Sequence, residues 1–178
     1  MLDEKTEVND LRPYIDTIRR VKSASEIQYM QEAASIASSA HEKAMRNSRP
    51  GMGEWEIQAM VEGHFMSSQS QWSFPSIVGG GDNATVLHYK DNNQVIGSGD
   101  LVLVDAGCEV SGYASDITRT WPVNGRFSQP QREIYNLVLK AELAGIEACQ
   151  PGMPWVSMHE ACLLYTSDAA DDVAWGVR

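Results

Sequence analysis

The chain has 178 residues, 43% of them hydrophobic, enough to core one domain and too few residues for two. Lys and Arg number 14 against 24 Asp and Glu, a formal net charge of −10, which argues against a nucleic-acid backbone or an anionic membrane as partner. No apolar run approaches the roughly 20 residues that cross a bilayer, the opening MLDEKTEVND is too acidic for a secretory signal, and Cys108, Cys149 and Cys162 lack paired metal spacing. The expectation is a soluble, cytoplasmic protein from a reducing compartment.

In chain order, residues 1–22 are charged and weakly periodic, with a helix break at Leu11-Arg12-Pro13 and a short amphipathic turn or two through Ile15, Ile18 and Val21. Ser23-x-x-Glu26 reads as a capping box, and Ile27, Met30, Ala34, Ala37 and Ala44 follow at helical spacing until Arg49-Pro50-Gly51 stops the run. A second helix is expected from about Gly53 to Met66, with Ile57, Met60, Val61 and Phe65 on its apolar face. Beyond it, Ser76-Ile77-Val78 enters Gly79-Gly80-Gly81, a run without the Lys-Ser/Thr of a phosphate loop. Thr85 to Tyr89 reads as a strand and Leu101 to Asp105 as a stronger one, with a turn near Val110-Ser111-Gly112 and a return through Ile117 and Thr120. Ser128-x-x-Gln131, with Pro130 in the first turn, opens a further helix through Ile134, Leu137, Val138, Ala141 and Ala148.

One repeat organises these elements. Ala40…Arg49-Pro50-Gly51-Met52 recurs as Ala141…Gln150-Pro151-Gly152-Met153, each position displaced by the same 101 residues (40 to 141, 51 to 152). Each copy reads as a helix, a Pro-Gly-Met stop and the start of another helix. Coincidence around a common Pro-Gly stop is one account; a duplicated helix–helix–sheet unit is the other.

Asp105 and Asp116 carry the chemical case. Pairing their strands across a two-residue turn at Val110-Ser111 sets the two directly opposite on one face, with Cβ atoms about 5 Å apart, and the flanking residues make that face substantially buried. Two like charges so close share a proton or hold a cation, and carboxylate oxygens suit a hard divalent ion. The alternative is a solvated aspartate ending one strand and another beginning a turn. His88, expected on the buried Thr85–Tyr89 strand, is a candidate proton donor or oxyanion partner, although a lone strand histidine is commonly a core residue. His41 and His64 read as structural, and His159-Glu160 lacks the second histidine of a zinc-protease helix, Leu163 standing in its place. Met30, Met45, Met60 and Met66 read as core filling. Trp72, Phe74 and Trp121 either line an apolar pocket or pack.

Leu87-His88-Tyr89, then Gly99-Asp100-Leu101-Val102-Leu103-Val104-Asp105-Ala106-Gly107-Cys108-Glu109, then Gly112-Tyr113-Ala114-Ser115-Asp116-Ile117-Thr118-Arg119-Thr120 closely resemble the catalytic domain of the bacterial aminopeptidase P (Xaa-Pro aminopeptidase) family. Pro122 to Ser128 and Gln131 to Tyr135 extend the likeness, which runs from about Leu11 to Ala161. The resemblance implies the pita-bread fold: an α/β (α+β) chain forming the first half of a duplicated domain, with helices packed on a curved, antiparallel-rich sheet. It implies two divalent metal ions, manganese foremost, with Asp105 and Asp116 as two of the ligands and His88 beside the metals at the substrate. The reaction implied is release of an N-terminal residue that precedes proline, by attack of a metal-bridging hydroxide, in a parent that forms homo-oligomers. An Xaa-Pro dipeptidase and a non-catalytic module on the same fold are the alternatives.

The expected organisation is a linker from a preceding domain at 1–22, the catalytic segment at 23–161 with its second repeat starting near 141, and a non-native tail at 162–178. Cys162 to Asp171 resembles a translated sequencing adapter; a natural divergent terminus is the rival account. The family's other ligands, one histidine and two glutamates, fall beyond this segment, so the chain by itself is expected to be inactive.

Overall fold

The computed structural model describes the backbone of residues 9–175 and the side chains of 9–165. Residues 1–8 of the expected linker and 176–178 of the expected tail lie outside the described residues. The chain forms two units, one up to Asn124 and one from Gly125.

In the first unit, α1 (Arg12–Arg20) starts where Pro13 occupies its first turn, a position at which the missing N–H has no helical partner to lose. α2 (Ala24–Asn47) begins at the expected capping box: Glu26 N–H donates to Ser23 Oγ and Ser23 N–H donates to the Glu26 carboxylate. After the Pro50-Gly51 stop, with Gly51 at φ +88°, α3 spans Glu54–Ser67. Ala33, Ala37, Ala40 and Ala44 form a fully buried small-residue stripe on α2, and Ile57, Val61 and Phe65 are fully buried on α3.

These helices pack on antiparallel strands. β1 (Gln71–Trp72), β4 (Cys108–Val110) and β5 (Tyr113–Ala114) form one three-stranded sheet, with β4 central. β2 (Ile77–Gly80), β3 (Leu101–Ala106) and β6 (Ile117–Pro122) form the other, with β3 central. Burial alternates strictly along β3: Val102, Val104 and Ala106 are in the core, while Leu101, Leu103 and Asp105 take the half-open face. Trp121 joins the core and donates its indole N–H to Ser48 Oγ at 2.7 Å, so it packs rather than lining a pocket. Met45 and Met60 fill against the core as expected. Met30 and Met66 are exposed, a correction that follows from their place on the outer sides of α2 and α3.

The second unit repeats the helical part of the first. Ser128 caps α4 (Gln129–Ala148) by a box with Gln131, and α5 spans Val156–Trp175. Gly152, at φ +85°, turns the chain as Gly51 does. Ala141 and Gly145 of α4 are buried, as are Ala40 and Ala44 at the matching places of α2. Gly145 admits α5 closely, since a Cβ there would lie 2.7 Å from Cys162 Sγ. Duplication accounts for the turn and the buried positions that match at one offset, which coincidence at one Pro-Gly stop does not; the boxes at Ser23 and Ser128 lie outside that offset.

Candidate metal centre

The aspartate-bearing hairpin is real, but its turn lies one residue later than expected. Ser111 (φ +52°) and Gly112 (φ +84°) are the central pair, the left-handed geometry that matches strand twist in a tight hairpin and favours glycine second. Val110 therefore pairs with Tyr113, and Asp105 lies opposite Thr118 rather than Asp116. The register differs from the expected one by two residues, which preserves side-chain parity. Asp105 and Asp116 still share a face, as diagonal neighbours instead of directly opposed ones.

That face is also more open than expected. The hairpin's core side faces α2, so Asp105 is half-buried and Asp116 exposed. The backbone beside Asp116 is nonetheless tightly held. Cys108 N–H donates to Ser115 Oγ at 3.0 Å, Ser115 N–H donates to Cys108 O at 2.8 Å, and Ser73 Oγ donates to Ser115 O at 2.8 Å. Gly107 is required there, because a Cβ would collide with the Ser115 carbonyl oxygen.

Electrostatically the pair is unfinished. Partial loss of water, then the negative charge of Asp105, push the Asp116 carboxyl above its ordinary value of 3.8. Asp105 Oδ1 is buried and has no hydrogen-bond partner. An orphaned carboxylate oxygen beside a second carboxylate is a donor set that a hard cation completes. Among the described residues no group of three or more His, Cys, Asp or Glu could hold a metal ion.

His88 is not on a strand. The Gly81–Thr85 segment forms a 3₁₀ helix, and His88 follows in a turn at φ +55°, with its side chain exposed. The strand-like pattern of Thr85 to Tyr89 misleads because hydrogen bonds donated to Glu54 by Asn83 and Tyr89, on either side of it, hold the segment in a loop. An open cleft of about 260 Å³ nevertheless brings His88 to Asp105 and Thr118, with Ile77, Leu87 and Leu103 among its apolar walls. His41 is a core residue, its Nδ1 bonded to Ala37 O at 2.8 Å.

Sequence reasoning missed Glu54. It is fully buried at the start of α3 and accepts four hydrogen bonds: from Gly80 N–H (2.8 Å) and Asn83 Nδ2 (2.9 Å) on Oε1, and from Tyr89 OH (2.8 Å) and Gln94 N–H (3.0 Å) on Oε2. An acid in the first turn of a helix reads as dipole complementation at the surface. The only hint of more was an Asn- and Gly-rich loop whose donors needed an acceptor.

The sequence profile described as Metallopeptidase family M24 matches residues 28–174. An Xaa-Pro aminopeptidase of Haemophilus influenzae is 50% identical over 148 residues, covering 83% of this chain and 34% of that protein. Among solved structures, an Escherichia coli aminopeptidase P variant in complex with substrate superposes with a TM-score of 0.86 at 40% identity, over 88% of this chain and 36% of that one. A structure described as a putative aminopeptidase P from Bacillus anthracis gives a TM-score of 0.90 at 33% identity, over 94% and 40%. The chain thus spans about a third of the length of the curated relatives it matches.

Proposed function

Because the chain belongs to metallopeptidase family M24 and has the pita-bread fold of aminopeptidase P, we propose that it forms part of the active site of an Xaa-Pro aminopeptidase. The observation that carries this reading is the orphaned Asp105 oxygen beside Asp116, in the cleft that also holds His88. Asp105 and Asp116 would hold two divalent ions, manganese by the carboxylate-rich character of the donors, together with one histidine and two glutamates that this segment does not supply. When bound, such ions supply Lewis-acid polarisation of a peptide carbonyl and a water acidic enough to attack at neutral pH.

The chain's own groups act around that chemistry. Asp105 puts a carboxylate in the cleft wall, with Asp116 beside it. His88, on its exposed turn, donates a hydrogen bond to the carbonyl oxygen of the residue before proline as charge develops there. Ile77, Leu87 and Leu103 give the cleft apolar walls suited to a pyrrolidine ring. Parent oligomers and peptide substrates with proline second belong to the same proposal. With two carboxylates of the five protein ligands, the chain by itself binds metal weakly and does not turn over.

Isothermal titration with Mn²⁺ tests the centre. The chain takes up manganese in the millimolar range or tighter, and Asp105→Asn with Asp116→Asn abolishes the uptake while the fold persists. Uptake that survives loss of both carboxylates removes them from the centre. In the full-length parent, cleavage of Xaa-Pro-Xaa over Xaa-Pro identifies the aminopeptidase; the reverse preference identifies a dipeptidase.

A further inference from the structure

The segment that carries His88 has little regular structure, yet it is pinned at both ends by one side chain. Glu54 Oε1 takes Gly80 N–H and Asn83 Nδ2 on the approach to His88; Oε2 takes Tyr89 OH and Gln94 N–H on the exit. The Glu54 main chain adds to this, donating its N–H to Gln94 O at 2.9 Å. One helical turn on, Gln58 accepts from Asn92 Nδ2, whose amide also donates to Ser76 O and accepts from Val78 N–H.

We infer that Glu54 is a positioning residue: its fully buried carboxylate clamps the Gly80–Gln94 segment to α3 and thereby sets where His88 stands over the aspartate cleft. Its relevance to turnover rests on the role proposed for His88. Three features carry the inference. All four partners are donors, so the carboxylate uses its full acceptor capacity on this one segment. His88 itself sits at φ +55°, a conformation a non-glycine residue keeps only when its surroundings hold it. Tyr89, the residue after His88, gives its hydroxyl to Glu54, so the clamp acts directly beside the imidazole. Glutamine, with one oxygen, keeps at most half of these bonds; alanine keeps none.

The 178-residue chain offers two site-specific readouts. Lys90 is exposed and is the only Lys or Arg between Arg49 and Arg119, so tryptic cleavage there reports opening of the clamped segment. The chain has 4 histidines, so ring carbon–proton correlation spectra separate His88 from the core residue His41. Glu54→Gln and Glu54→Ala are expected to speed cleavage at Lys90 by about tenfold or more, since hydrogen bonds to a charged group are lost and cleavage follows the open population. They are expected to shift and broaden the His88 signals while His41 keeps its own. Tyr89→Phe, which removes one donor without leaving a buried charge bare, gives the same changes in weaker form if alanine fails to fold.

Folded variants in which His88 signals and Lys90 cleavage match the wild type overturn the clamp. Parallel loss of His41 dispersion also overturns it, since that is general unfolding. A freed His88 with unchanged turnover in the full-length protein supports the clamp and instead removes His88 from the reaction.

Discussion

At the scale of single residues, the centre depends on how closely two strands approach beneath the aspartates. Gly107 leaves the space that the Ser115 carbonyl occupies, and Ser115 directly precedes Asp116. Gly107→Ala must therefore push the strands apart and shift Asp116 away from Asp105. The expected outcome is a loss of about 1–3 kcal/mol by chemical denaturation, the range for overpacking a tight site, together with weaker manganese uptake. Unaltered uptake in this variant would show that the pair does not depend on the close approach. The two aspartates stand out in sequence, one near the end of a strongly apolar strand and the other just before the return strand. Their exact pairing is not legible, because a one-residue shift of the two-residue turn decides it and only the left-handed preference of Ser111-Gly112 signals the choice.

At the scale of elements, local rules served wherever a helix start or stop was at issue. The boxes at Ser23 and Ser128 and the Pro-Gly stops all formed as read. Tertiary hydrogen bonding overrode the strand pattern around His88, and a buried acceptor on a distant helix leaves no periodic trace. The α2 box makes a further link: Tyr113 OH donates to Glu26 at 2.8 Å, and the Tyr113 ring stacks on Tyr29 at 5.8 Å, tying the helix start to the hairpin tip. The Ser23 N–H, then the Tyr113 hydroxyl, lower the Glu26 carboxyl from 4.5 to about 2. An acid whose folded pKa is depressed contributes stability above its unfolded value and loses it as pH falls through the folded one. Glu26→Gln is thus expected to lower the melting temperature at pH 7, with the difference from wild type shrinking below pH 4.5 and gone near pH 2. Melts across that range check it; a difference independent of pH would assign the effect to packing alone.

At the scale of the whole molecule, both units display apolar side chains that globular surfaces rarely cluster. Ile134, Val138 and Ile146 on α4 are more than half exposed, and Trp155 is 87% exposed; Leu11, Tyr14, Ile18 and Val21 are similarly bare around α1. The isolated chain is expected to self-associate, giving a concentration-dependent mass by sedimentation that Ile134→Lys with Val138→Glu reduces; a monomer at all concentrations would contradict this. No described helix is long and apolar enough to cross a membrane. Duplication, the largest-scale feature, was legible because a constant 101-residue offset needs no knowledge of packing.

Peptidase activity in a full-length setting tests the proposed centre. The segment of the Haemophilus influenzae relative that matches this chain over 148 residues at 50% identity would be replaced by the corresponding residues of this chain. Release of the first residue from an Xaa-Pro-Xaa peptide would then be measured with manganese present. The chimera is expected to cleave such peptides, Asp105→Ala or Asp116→Ala to abolish cleavage, and His88→Ala to slow it without removing the metal. A folded chimera that cleaves as well without both aspartates would contradict the proposed centre.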